Sequence, residues 1–234
     1  MKRLYEKDSL TFSLILIGLY VISFSLADGL SSMLGTEKLI TGPFSVVVTI
    51  MLLLWLKKYG LMERYGLGKV KIPYGRYLYF LPLLLLVSTN LWGGVTLRYS
   101  IPETVLYVIS MIGVGILEEL IFRGFLLKAL CKDNVKRAVI ISSLTFGIGH
   151  MVNLFNGAEL LPTLLQIVYA AAAGFLFTVI FLRSGSLIPC IVTHCIMNSL
   201  SAVAAPLGNM MDMLAASFLT VISLAYAVWI LKKT

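Results

Sequence analysis

Glu118-Glu119-Leu120-Ile121-Phe122-Arg123 sets two adjacent carboxylates and a guanidinium inside a stretch that is otherwise apolar from Pro102 to about Leu130. A segment of that length can cross a bilayer. An ionisable group at bilayer depth costs at least ~2.5 kcal/mol, and such groups are kept where they face partners or water. The two histidines of the chain, His150 and His194, fall in other apolar segments. Together these residues predict a buried polar site in an all-α membrane bundle.

The rest of the chain agrees. Of 234 residues, 59% are hydrophobic and 13% charged, with a mean hydropathy of +0.95. Soluble domains carry about twice that charge. Eight apolar runs are long enough to read as spans: 10–33, 38–56, 77–97, 102–130, 137–153, 161–182, 186–205 and 210–231. With eight crossings and both termini cytoplasmic, all of the 19 basic residues except Lys38, Arg98 and Arg123 fall on the inner side, as the positive-inside rule requires. The charge of +8 is therefore assigned to orientation in a lipid bilayer, and nucleic acid is not an expected partner. The run after Lys2-Arg3 is too long for a signal peptide and is expected to stay as the first span. Lys57 to Arg76, with Gly60, Gly66, Gly68, Pro73 and Gly75, reads as a turn-rich cytoplasmic connector. The chain is expected to be one membrane domain, 1–234. Its three cysteines have no metal-type spacing.

Three patterns carry chemistry. Glu119 and Arg123 are four apart and can pair on one helix face. Glu118 lies about 100° round and is expected to point elsewhere, free to act as a general base. Phe146 and His150 share a face in Phe146-Gly147-Ile148-Gly149-His150, where the glycines admit a neighbouring helix. His194 and Asn198 are also four apart and offer an imidazole and an amide to one pocket. Counted from the nearest inner boundary at about 1.5 Å per residue, all three patterns can occupy one layer of the bundle. Cys195 adjoins His194 but points away from it.

The order Glu-Glu-x-x-x-Arg, Phe-x-x-x-His, His-x-x-x-Asn resembles the CAAX-protease and bacteriocin-processing (CPBP, or Abi) family of intramembrane endopeptidases, which includes the Ras-converting prenyl-protein endopeptidase. The motif-bearing core is 102–205. The resemblance implies hydrolysis of a peptide bond in a membrane-associated peptide or lipidated protein, of prenylated CAAX or leader type. It implies that Glu118 activates a water shared with His150, and that His194 and Asn198 bind the oxyanion. Glu119 and Arg123 would support the base, and Phe146 would pack beside the site. No cofactor is the favoured reading. Zinc on Glu118, His150 and His194 is the alternative. The rival functions are a non-catalytic scaffold or immunity protein of the same fold and a small proton-coupled transporter. The expected location is a prokaryotic plasma membrane.

Overall fold

The computed structural model describes residues 1–68 and 80–233. The helices in chain order are α1 (Lys2–Lys7), α2 (Ser9–Met33), α3 (Thr41–Lys58), α4 (Leu83–Ser88), α5 (Ile101–Glu118), α6 (Leu127–Leu130), α7 (Val135–Gly149), α8 (Val152–Phe155), α9 (Leu160–Ser184), α10 (Ile188–Leu200) and α11 (Asn209–Lys233). A π-helical stretch, Glu119–Leu126, joins α5 to α6 without a break in the rod. Extended pairing among the described residues is confined to the isolated bridge between Val95 and Ala204. The described residues are all-α, as the span-length apolar runs predict.

Six rods are long and apolar enough to cross a membrane: Ser9–Met33, Thr41–Lys58, Ile101–Leu130, Val135–Phe155, Leu160–Ser184 and Asn209–Lys233. They correspond to the first, second, fourth, fifth, sixth and eighth expected spans. The other two are shorter helices than expected. Residues 77–79 of the third run, and Lys69, Lys71, Pro73, Gly75 and Arg76 of the connector, lie outside the described residues. The remainder of that run forms α4, a 3-10 turn over Thr89–Leu91, and then extended backbone. The seventh is the 13-residue α10. Beyond both helices the backbone leaves the helix and the two segments pair with each other. Thr96 N–H donates to the Val203 carbonyl at 2.8 Å and Ala205 N–H to the Gly94 carbonyl at 3.1 Å. The close approach uses Gly93, where a Cβ would stand 2.7 Å from the Ala205 carbonyl oxygen.

Side-chain caps fix where the rods begin. The Asp8 carboxylate accepts from the backbone N–H groups of Leu10 and Thr11 at the head of α2. These bonds hold its carboxyl below the ordinary carboxylate value, the Thr11 hydroxyl contributing most. Ser100 and Glu103 form a reciprocal capping box at the head of α5. At the end of α9, Gly185 turns the chain in the left-handed region at φ +69°.

Small residues bring the rods together around α5. A Cβ at Gly113 would meet Ser45 of α3 at 2.7 Å, and one at Gly115 would meet Cys195 of α10 at 2.8 Å. Gly147 of α7 packs as closely against Ala171 and the Ile167 carbonyl of α9, whereas Gly149 has only the tip of the Phe122 ring nearby. Of the two glycines expected to admit a helix, Gly147 does so. In a membrane, where lipid is as apolar as leucine, such close backbone contact is the main source of helix association.

Candidate active site

Glu118 closes α5 and Glu119 opens the π-helical stretch, and the backbone at both keeps ordinary helical angles, φ -64° and -63° with ψ -42° at each. Their carboxylates approach opposite nitrogens of one imidazole. His194 Nδ1 is 2.9 Å from Glu119 Oε1, and His194 Nε2 is 3.5 Å from Glu118 Oε2. Glu118 lines the cavity, whereas Glu119 turns to Arg123 outside the lining. Ser142 of α7 pins the stretch, its hydroxyl donating to the Phe122 carbonyl at 2.8 Å.

Glu119 Oε1 also accepts from Arg123 Nη1 at 3.0 Å, and both side chains are fully buried. An ionised carboxylate only accepts hydrogen bonds, so His194 Nδ1 carries a proton and donates it to Glu119. Glu119 Oε2 and Arg123 Nε and Nη2 have no hydrogen-bond partner among the described residues. The guanidinium is covered by aromatic faces, 3.8 Å from the Phe146 ring centroid and 5.7 Å from that of Phe177. A cation over a π face in a dry setting is worth about 2 kcal/mol. Gly174 of α9 makes the room: a Cβ there would come within 3.0 Å of Arg123 Nη2 and 3.2 Å of Phe146.

Phe146 stands between the two histidines, its ring centroid 5.1 Å from that of His150 and 5.8 Å from that of His194, both edge-on. His150, at the C-terminal end of α7, has Nδ1 3.0 Å from the Phe146 carbonyl. A carbonyl accepts only, so Nδ1 donates to it and Nε2 is left without a partner in that bond.

Glu118, Phe146, His150, His194 and Asn198 line one cavity of about 420 Å³. Its polar rim draws on α2, α5, α8, α9 and α10: Asn153 of α8 donates to Gln166 of α9 at 2.8 Å, and Tyr20 of α2 donates to Glu118 Oε1 at 2.8 Å. Glu119 and Arg123 lie beneath, outside the lining. The three sequence patterns therefore meet in one layer. Cys195 turns away, its thiol donating to the Ile112 carbonyl of α5. Sequence reasoning missed Tyr20 and Gly174. A lone tyrosine in an apolar span and a glycine among alanines carry no spacing signal, since each is defined only by what lies across the bundle.

Among the described residues no three His, Cys, Asp or Glu side chains are grouped to hold a metal ion. The other polar residues have simpler places. Asp28 at the end of α2 pairs with Lys38 at 2.8 Å, and Asp212 lies in the first turn of α11.

Residues 100–200 match the model of a protein family described as type II CAAX prenyl endopeptidase Rce1-like. No curated protein and no solved structure matches the chain.

Proposed function

We infer, for a chain that belongs through residues 100–200 to the CAAX-protease family, that it is an intramembrane endopeptidase. Its substrate is a membrane-associated peptide or a lipidated protein, cut close to the bilayer. The observation that carries this reading is the convergence of Glu118, His150, His194 and Asn198 on one cavity above a buried Glu119–Arg123 pair.

In the reaction, water enters the cavity and Glu118 takes one of its protons, with the free Nε2 of His150 orienting the same molecule. The resulting hydroxide adds to the scissile carbonyl carbon and the carbonyl electron pair moves to oxygen. Protonated His194 Nε2 and the Asn198 amide donate to that oxyanion. Glu119, bonded to Nδ1, holds the ring with Nε2 toward the cavity. The carbon–nitrogen bond then breaks and Glu118 returns its proton to the leaving amine. No covalent acyl-enzyme and no cofactor enters. A prokaryotic plasma membrane is the proposed setting.

The test compares membrane peptides by mass spectrometry in cells expressing wild type or Glu118→Gln at equal levels. Cleavage products are expected with wild type and reduced between about a hundredfold and ten-thousandfold in the variant. Identical peptide sets from two folded proteins would sink the reading and leave a binding scaffold. With the purified enzyme, turnover should survive exhaustive chelation. Loss restored by added zinc would replace the metal-free mechanism.

A further inference from the structure

We propose that Tyr20 is a positioning residue for the general base, so that the active site extends onto α2, outside the segment that matches the family. The proposal rests on the endopeptidase reading for what Glu118 does, but the hydrogen bond it invokes stands independently of that reading.

The helix that carries Tyr20 leaves most of its apolar side chains exposed toward lipid. Only 22% of its most apolar window is buried, and Leu14, Ile15, Leu19, Ile22 and Leu26 are all exposed. From this helix the Tyr20 hydroxyl reaches inward to the carboxylate that Arg123 does not bond. Tyr20 OH donates to Glu118 Oε1 at 2.8 Å, while His194 Nε2 stands 3.5 Å from Oε2. The two oxygens thus have different neighbours. Oε1 is occupied by a phenol with one proton to give, and Oε2 faces the imidazole across a gap longer than a direct hydrogen bond.

The phenol is itself held. Its ring lies 4.6 Å from that of Phe24, which packs edge-on against Phe44 of α3 at 5.2 Å. A rigid donor on one oxygen restrains rotation of the carboxyl group, so that the other oxygen keeps a constant aim into the cavity. Among the described residues Tyr65 donates to the Tyr5 hydroxyl at 2.8 Å, away from the cavity, and Tyr107 on the cavity wall meets the Ser201 hydroxyl at 3.3 Å. Tyr20 is distinguished by its partner.

A hydrogen bond donated to a carboxylate favours the charged form, which gives a readout that loss of packing alone does not move. The groups facing Glu118 are Tyr20 from α2 and His194 from α10, with Glu119 beside it on its own rod and His150 of α7, Asp28 of α2 and Lys38 on the same cavity wall. Tyr20→Phe removes one oxygen and keeps the ring.

The probe is an internally quenched peptide bearing a farnesylated cysteine three residues from its C-terminus, with purified full-length enzyme. Tyr20→Phe is expected to lower kcat about tenfold, to leave KM within twofold, and to move the acid limb of the kcat/KM profile upward by about one pH unit. In parallel, the Glu118 carboxyl band, identified by its loss in Glu118→Gln, is titrated by infrared difference spectroscopy. Its midpoint should move up by the same amount in Tyr20→Phe. Wild-type kcat with an unmoved band would overturn the proposal. So would a lower yield of folded protein whose remaining turnover and acid limb match wild type. If wild type fails to cut the probe, the endopeptidase reading fails for that substrate class, and the infrared midpoint alone decides the role of Tyr20.

Discussion

Two ion pairs mark opposite regimes in this molecule. Arg123–Glu119 is wholly buried, stacked under aromatic rings and shared with His194. Lys38–Asp28, at the mouth of the same cavity, retains about a third of the Asp28 side-chain surface. Their lengths, 3.0 Å and 2.8 Å, would rank the outer pair as the stronger. Surroundings reverse the ranking: a buried charge deprived of its partner has no water to turn to, whereas the outer carboxylate keeps water and the Thr41 hydroxyl.

The sharpest way to break the comparison is Arg123→Met, which leaves the Glu119 charge with His194 alone. A loss of about 3–5 kcal/mol is expected, read as a collapse of the unfolding midpoint in a detergent titration. A midpoint near wild type would mean that His194 alone neutralises Glu119. Gly174→Ala attacks the same pair through space, since the new methyl would press on Arg123 and Phe146. Overpacking of this kind costs about 1–3 kcal/mol, and the same titration measures it. Asp28→Asn should cost less than about 1 kcal/mol, and a loss as large as that of Arg123→Met would erase the distinction.

The smallest expected effect lies outside the spans. The capping bonds lower the folded-state pKa of Asp8 below its ordinary 3.8. Its contribution is therefore complete above that value and fades as pH falls through the depressed one. The difference in midpoint between wild type and Asp8→Ala should be constant near neutrality and shrink on acidification below pH 3.8. A difference that instead grew with acid would contradict the cap.

What could be read from residue order was local chemistry at helical spacing. Glu119 with Arg123 four apart pairs as expected, and Phe146 with His150 four apart meets ring to ring. Both histidines reach the cavity because an apolar helix has nowhere else to satisfy a polar ring. The meeting of Glu118 and Glu119 at opposite nitrogens of His194 escaped notice because the imidazole comes from another helix. Tyr20 and Gly174 escaped because their meaning lies on other helices. The runs at 77–97 and 186–205 were read as whole spans since hydropathy counts apolar residues without registering backbone pairing, and Val95 with Ala202 to Ala205 are as apolar in a short ribbon as in a rod.

That short ribbon ties together the two rods that carry Glu118 and His194. It joins the chain just before α5 to the chain just after α10, and Arg98 reinforces it by donating to the Ser201 carbonyl. Farther along, Gly115 seats Cys195 directly against α5. The two rods therefore behave as a calliper with a riveted hinge and a fixed stop, and the opening between its jaws is the gap between base and imidazole. Lengthening the ribbon by a single residue would reset that opening while leaving each chemical group intact.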